Sequence, residues 1–126
     1  MFDLVQELFP INRSITGDGV RKTLGIIKRE LLDLNILEIS SGEKCFDWII
    51  PQEWNIKNAY IETPSGKKIC QFSENNLHIV NYSIPVHTTL SLKELQGYLH
   101  SLPKMPTAIP YVTSYYKETW GFCITE

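Results

Sequence analysis

Three histidines (His78, His87, His100) and three cysteines (Cys45, Cys70, Cys123) are the side chains of this 126-residue chain best suited to bind a metal. A zinc site needs three or four ligands converging, often with two of them close in sequence. Here no histidine lies within four residues of another histidine or of a cysteine. A metal site made from this chain alone is not expected, and no residue is assigned as a metal ligand. His78 reads as a strand residue. His100 reads as the end of a helix, where a positive charge meets the negative pole of the dipole. The cysteines are odd in number and lack a C-x-x-C pair, which fits reduced, mostly buried thiols.

Nucleophilic chemistry finds no better footing. No G-x-S-x-G elbow is present, and no cysteine sits in a recognisable catalytic setting. Asp3 and Glu7 share a helical face but are expected to meet solvent, so no catalytic residue is assigned. Gly17-Asp18-Gly19 precedes a helix as a phosphate-cradling loop would. No strand comes before it and no nucleotide-binding pattern is completed, so helix capping is the expected role. Arg13 lies among turn residues near the same helix start. There it can clamp a carboxylate or phosphate, or simply form a local ion pair. Trp48 and Trp54 suit either a sugar-stacking surface or support for a hairpin.

These residues depend on elements that the spacing predicts. Leu4, Val5, Leu8 and Phe9 make a short amphipathic helix that Pro10 ends. Val20, Leu24, Ile27, Leu31 and Leu34 then form the apolar stripe of a second helix, capped by Asp18 or Thr16 and closed by Asn35. Ile36–Ser40 reads as a strand, and Phe46–Ile50 as another before Pro51. Asn58–Glu62 and Lys68–Phe72 flank Thr63-Pro64-Ser65-Gly66-Lys67, a hairpin signal. Leu77–Tyr82 reads as a further strand. Ser91 and Glu94 form a capping box, with Leu90 and Leu95 as a hydrophobic staple, opening a helix that buries Leu92, Leu95 and Leu99 until Pro103. Pro103, Pro106 and Pro110 force an extended path into the aromatic tail Tyr111–Cys123.

Composition narrows the field. The hydrophobic fraction is 43%, the charged fraction 21% and the net charge −2, ordinary for a soluble globular protein, and the mixed helices and strands above make it α+β. That charge gives no reason to expect nucleic acid or an anionic membrane as partner. The N-terminus carries acids where a secretory signal would carry Lys or Arg, so a cytoplasmic location is expected.

Several long strings resemble one family. They are Arg13-Ser14-Ile15-Thr16-Gly17-Asp18-Gly19-Val20-Arg21, then Phe46-Asp47-Trp48 with Pro51, Glu53, Trp54, Asn55 and Ile56, and then Tyr82-Ser83-Ile84-Pro85-Val86. Ile109–Tyr116 and Trp120-Gly121-Phe122-Cys123 complete the set. Together they are similar to bacterial proteins with a DUF4910 aminopeptidase-like domain that carries a DUF2172 insert, akin to the M28 zinc peptidases. The resemblance implies a zinc-exopeptidase-like α/β domain in the intact protein, interrupted by a β-rich insert with one helix. Residues 1–45 and 104–126 would belong to the peptidase-like domain, and 46–103 to the insert. It further implies members several times longer than this chain, ending in a winged-helix domain and linked to surface-polysaccharide biosynthesis. Their zinc ligands lie downstream of the Trp-Gly-Phe-Cys stretch, so none is carried over.

On that basis the chain is expected to be an N-terminal fragment of a metal-dependent hydrolase, inactive by itself. Its substrate would be a small peptide-like or sugar-derived molecule. Arg13, Tyr111, Tyr115, Tyr116 and Trp120 are the candidates for one wall of the substrate cleft. Arginine holds anionic groups, and phenols both stack and hydrogen-bond. Exposed strand edges predict self-association. A non-enzymatic partner- or glycan-binding module, and a remnant of a broken reading frame, remain open as alternatives.

Overall fold

The computed structural model describes residues 2–126, which fall into two compact units, one ending at Asn55 and the other starting at Ile56. Both mix short helices or helical turns with two-residue strands, a small α+β architecture.

In the first unit, helix α1 (Phe2–Leu8) stops before Pro10, as the missing proline N–H requires. Helix α2 (Asp18–Glu30) follows. Arg29 on α2 pairs with Glu7 on α1 at 2.6 Å, which ties the two helices together. Ile26 is the buried residue of α2, with Val20, Leu24 and Ile27 half-buried beside it. The helix ends at Glu30, short of the predicted Leu34; Leu31 is already the cap and lies exposed.

The cap at the other end also differs from expectation. Gly17 is the N-cap and offers no side chain. Asp18 is the first helical residue, and its backbone N–H donates to Asn55 Oδ1 at 2.8 Å. The orphan N–H of the first turn is thus satisfied by a residue remote in sequence. Thr16 Oγ1 instead accepts the backbone N–H of Trp54 at 3.3 Å.

Ile36–Ser40, predicted as a strand, runs without a strand partner. A single strand has no ladder to stabilise it, and Leu37 and Ile39 are exposed. The chain then folds back in a tight hairpin of β1 (Lys44–Cys45) and β2 (Trp48–Ile49), with Cys45 opposite Trp48. Phe46 therefore sits in the two-residue turn at φ 54°, where a strand residue was expected.

In the second unit, β3 (Ile61–Glu62) and β4 (Lys68–Ile69) form the hairpin that the sequence predicts. Gly66 at φ 81° makes its turn, and Gly66 N–H donates to Thr63 O at 2.8 Å. The core is the run Ile79–Tyr82, with Phe122 and Cys123 against it. Val80 N–H donates to Gly121 O at 3.1 Å and Asn81 N–H to Val112 O at 2.9 Å, so the run takes partners from the aromatic tail.

Helix α3 (Leu92–Leu95) opens with the predicted capping box: Ser91 Oγ accepts Glu94 N–H, and Glu94 accepts Ser91 N–H. It lasts one turn. A 3-10 turn over Gln96–Tyr98 follows. Leu99–His100 then becomes strand β5, parallel to β6 (Phe122–Cys123). The helix expected to reach Pro103 gives way because β6 offers these two residues a buried ladder. Gly121 permits the close approach: a Cβ there would stand 2.9 Å from Tyr98 O and 3.1 Å from Val80 Cγ2.

Candidate functional site

The β5–β6 pairing opens a cleft of about 310 Å³ in the second unit. Its aromatic wall is Tyr98, brought by the 3-10 turn, stacked on Trp120 with ring centroids 4.0 Å apart and planes 6° from parallel. Phe122 abuts Trp120 edge to face at 6.4 Å, which fixes the indole from the core side. His100 comes from β5, and Val112, Thr113, Ser114, Lys117 and Thr119 come from the tail. The lining holds a lysine, a histidine, the Tyr98 phenol and three aliphatic hydroxyls, and it includes no carboxylate.

Next to the cleft lies a tyrosine cluster. Tyr82 meets Tyr115 edge to face, with centroids 5.0 Å apart. The Tyr111 phenol lies near enough to the side chains of Tyr115 and Asn81 to feel them electrostatically. Burial, helped by the neighbouring Tyr115, pushes the Tyr111 phenol above its ordinary value, while Asn81 pulls it down. Tyr82 holds φ 67° at a buried position. Strain of this kind costs about 1–3 kcal/mol and persists only where the surroundings enforce it. Here the bonds of Asn81 on both sides, to Val112 and Ser114, do so.

The five predicted cleft residues therefore separate. Trp120 lines the cleft, and Tyr111 and Tyr115 join in the adjoining cluster. Tyr116 is largely exposed. Arg13 belongs to the first unit, where its Nη1 donates to Leu8 O at 3.0 Å and so closes the C-terminal end of α1. Tyr98, His100 and Lys117 were not foreseen. The first two lie where the sequence predicts a continuous helix, and only the pairing with β6 turns them into a wall.

The side chains do not fit a zinc centre. Among the described residues no three His, Cys, Asp or Glu groups gather closely enough to hold a metal ion. His78 Nδ1 is spent on Cys123 O at 2.8 Å. Burial pushes the Cys123 thiol up to about 11. Among the described residues no helix is long and apolar enough to cross a membrane.

This is a small α+β region with an aromatic-walled, carboxylate-free cleft. The family described as Domain of unknown function (DUF2172) matches residues 53–126, and the chain belongs to that family. The match takes in β5 and β6 alike, hence every residue of the cleft. A Clostridium acetobutylicum protein named for polysaccharide biosynthesis and an aminopeptidase-like domain is 55% identical over 126 residues, which is 100% of this chain and 29% of that protein. A crystal structure from the same organism, named for a peptidase, matches 98% of the chain with a TM-score of 0.91 at 56% identity, again over 29% of its own length. The chain thus spans less than a third of these relatives.

Proposed function

We propose that the chain forms the N-terminal part of a metal-dependent, aminopeptidase-like hydrolase acting in polysaccharide biosynthesis. In this reading the second unit supplies one wall of the substrate cleft, and zinc ligands and general base come from other parts of the enzyme. The observation that carries it is the end-to-end match at 55% identity to a protein named for that process and that domain. The geometry supports a share in binding rather than in bond breaking. The cleft offers aromatic surface, hydroxyls and a lysine, but no paired carboxylates or His–nucleophile contact. Taken alone, the 126 residues are inactive.

A second reading, a glycan-binding module without catalysis, is favoured by one feature: the stacked Tyr98–Trp120 pair beside hydroxyls. The experiment compares the purified chain with a full-length protein containing it. Both are assayed for amide hydrolysis on amino-acid anilides, and for bound zinc by mass spectrometry. Hydrolysis and stoichiometric zinc in the full-length protein, with neither in the chain, support the hydrolase reading. A chain that binds zinc and cleaves the anilide contradicts it. An inert full-length protein favours the module.

A further inference from the structure

The cleft has a charge signature that hydrolysis alone does not require. Among the described residues Lys117 forms no ion pair. Among the described residues the hydroxyls of Thr113 and Thr119 have no hydrogen-bond partner. An unpaired ammonium beside uncommitted hydroxyls, in a lining without carboxylates, selects for an anion. The neighbouring wall is of another character: Tyr98 and Trp120, face to face and braced by Phe122. Rigid aromatic surface suits the apolar C–H face of a sugar ring and costs little conformational entropy on binding. At about 310 Å³ the space is at the small end of ligand pockets, roughly 300–1,000 Å³. It holds one or two sugar rings.

From this combination we infer that the cleft binds an acidic saccharide. One sugar ring packs against the outside of the Tyr98–Trp120 stack, its carboxylate meets Lys117, and its hydroxyls meet Thr113, Thr119 and His100. The inference rests on the reading of the chain as part of a polysaccharide-processing protein and names the substrate class of the same cleft. Lys117 acts as a charge-selecting residue and takes no part in bond cleavage. Its ammonium is a hydrated point charge on a flexible stem, so it adds preference for an anion without demanding one exact geometry.

The test is an NMR titration of the chain with digalacturonic acid and, separately, with neutral maltose. Backbone amides of residues 97–100 and 113–120 are followed. The acidic disaccharide is expected to shift these amides and to bind about tenfold more tightly than maltose, the worth of one well-placed charge contact. Lys117→Ala, a change at an exposed position, should keep the amide spectrum elsewhere unchanged and bring the two affinities together. Trp120→Phe should weaken both, and an unchanged amide spectrum elsewhere confirms that this variant is folded. Equal binding of both sugars by the unaltered chain overturns the inference, as does a Lys117→Ala variant that keeps the preference. So does the absence of shifts in these amides. Failure here, with the full-length protein still cleaving amides, removes the acidic saccharide and leaves the hydrolase reading standing. Acid-selective binding with no cleavage does the reverse.

Discussion

Arg21 grips Glu53 with both prongs of its guanidinium, Nη1 to Oε1 at 2.6 Å and Nη2 to Oε2 at 2.5 Å. The pair fastens residues 52–55 over the first turn of α2, where Asn55 caps the helix and Thr16 meets Trp54. Two strings distant in sequence, Arg13–Arg21 and Glu53–Asn55, are thereby one structural feature.

The pair sets an acid limb of stability. Hydrogen bonding from Arg21 lowers the Glu53 carboxyl from 4.5 to about 2. A carboxyl with a lower pKa in the folded chain stabilises it fully above its unfolded pKa, and loses that effect as pH falls through the folded one. Stability should therefore decline from about pH 4.5 towards pH 2, and Glu53→Gln should flatten this part of the curve. Melting temperatures across that range check it. Because both groups are solvent-exposed, the change at neutral pH should be slight.

Two glycines should respond to alanine in opposite directions. Gly17 sits at φ 94°, and a Cβ there would collide with Trp54 O and lie 2.8 Å from Asn55 Oδ1. Gly17→Ala should cost about 1–3 kcal/mol or more, since strain and contact add. Gly25 is inside α2 with nothing near its missing Cβ. Gly25→Ala should gain about 0.5–1 kcal/mol through helix propensity. Urea unfolding of both variants measures the contrast.

The three cysteines should divide in native thiol labelling. Cys123 is 0% exposed, and desolvation raises its thiol to about 11. Burial and the nearby Glu74 also raise Cys70. Cys45 and Cys70 are half-buried. A disulfide reagent at mildly alkaline pH should modify Cys45 and Cys70, and reach Cys123 after denaturation. Peptide mapping of the labelled protein identifies the sites. Rapid native labelling of Cys123 would contradict the packing of β6.

Apolar side chains stand far out of the first unit. Phe46 is 91% exposed, Leu37 87% and Leu32 83%. Exposed apolar surface beside an unpaired extended segment favours association. Light scattering should show the chain self-associating as concentration rises, and Leu37→Lys with Phe46→Lys should suppress it. A monodisperse unaltered chain would speak against this.

What the sequence made legible was local. The Ser91–Glu94 capping box and the Thr63–Lys67 hairpin are signals written within a few residues, and both formed. The α2 cap was misplaced because its acceptor, Asn55, lies far along the chain. The end of α3 was misplaced for the same reason, since Leu99 and His100 follow the ladder offered by Phe122 and Cys123. Ile36–Ser40 carries strand propensity, yet propensity forms no sheet without a partner. In the cleft, Trp120 was legible from aromatic density. Tyr98 and Lys117 became visible only with the long-range pairing that brings them to one wall.

The most direct test of the cleft as a substrate wall is steady-state kinetics of the full-length protein with Trp120→Phe, a variant that keeps the ring but loses indole surface against Tyr98. A residue that binds substrate and transition state alike changes KM and leaves kcat in place. The account predicts a KM several-fold higher, with kcat and melting temperature near those of the unaltered enzyme. An unchanged KM in a folded, active variant would contradict it.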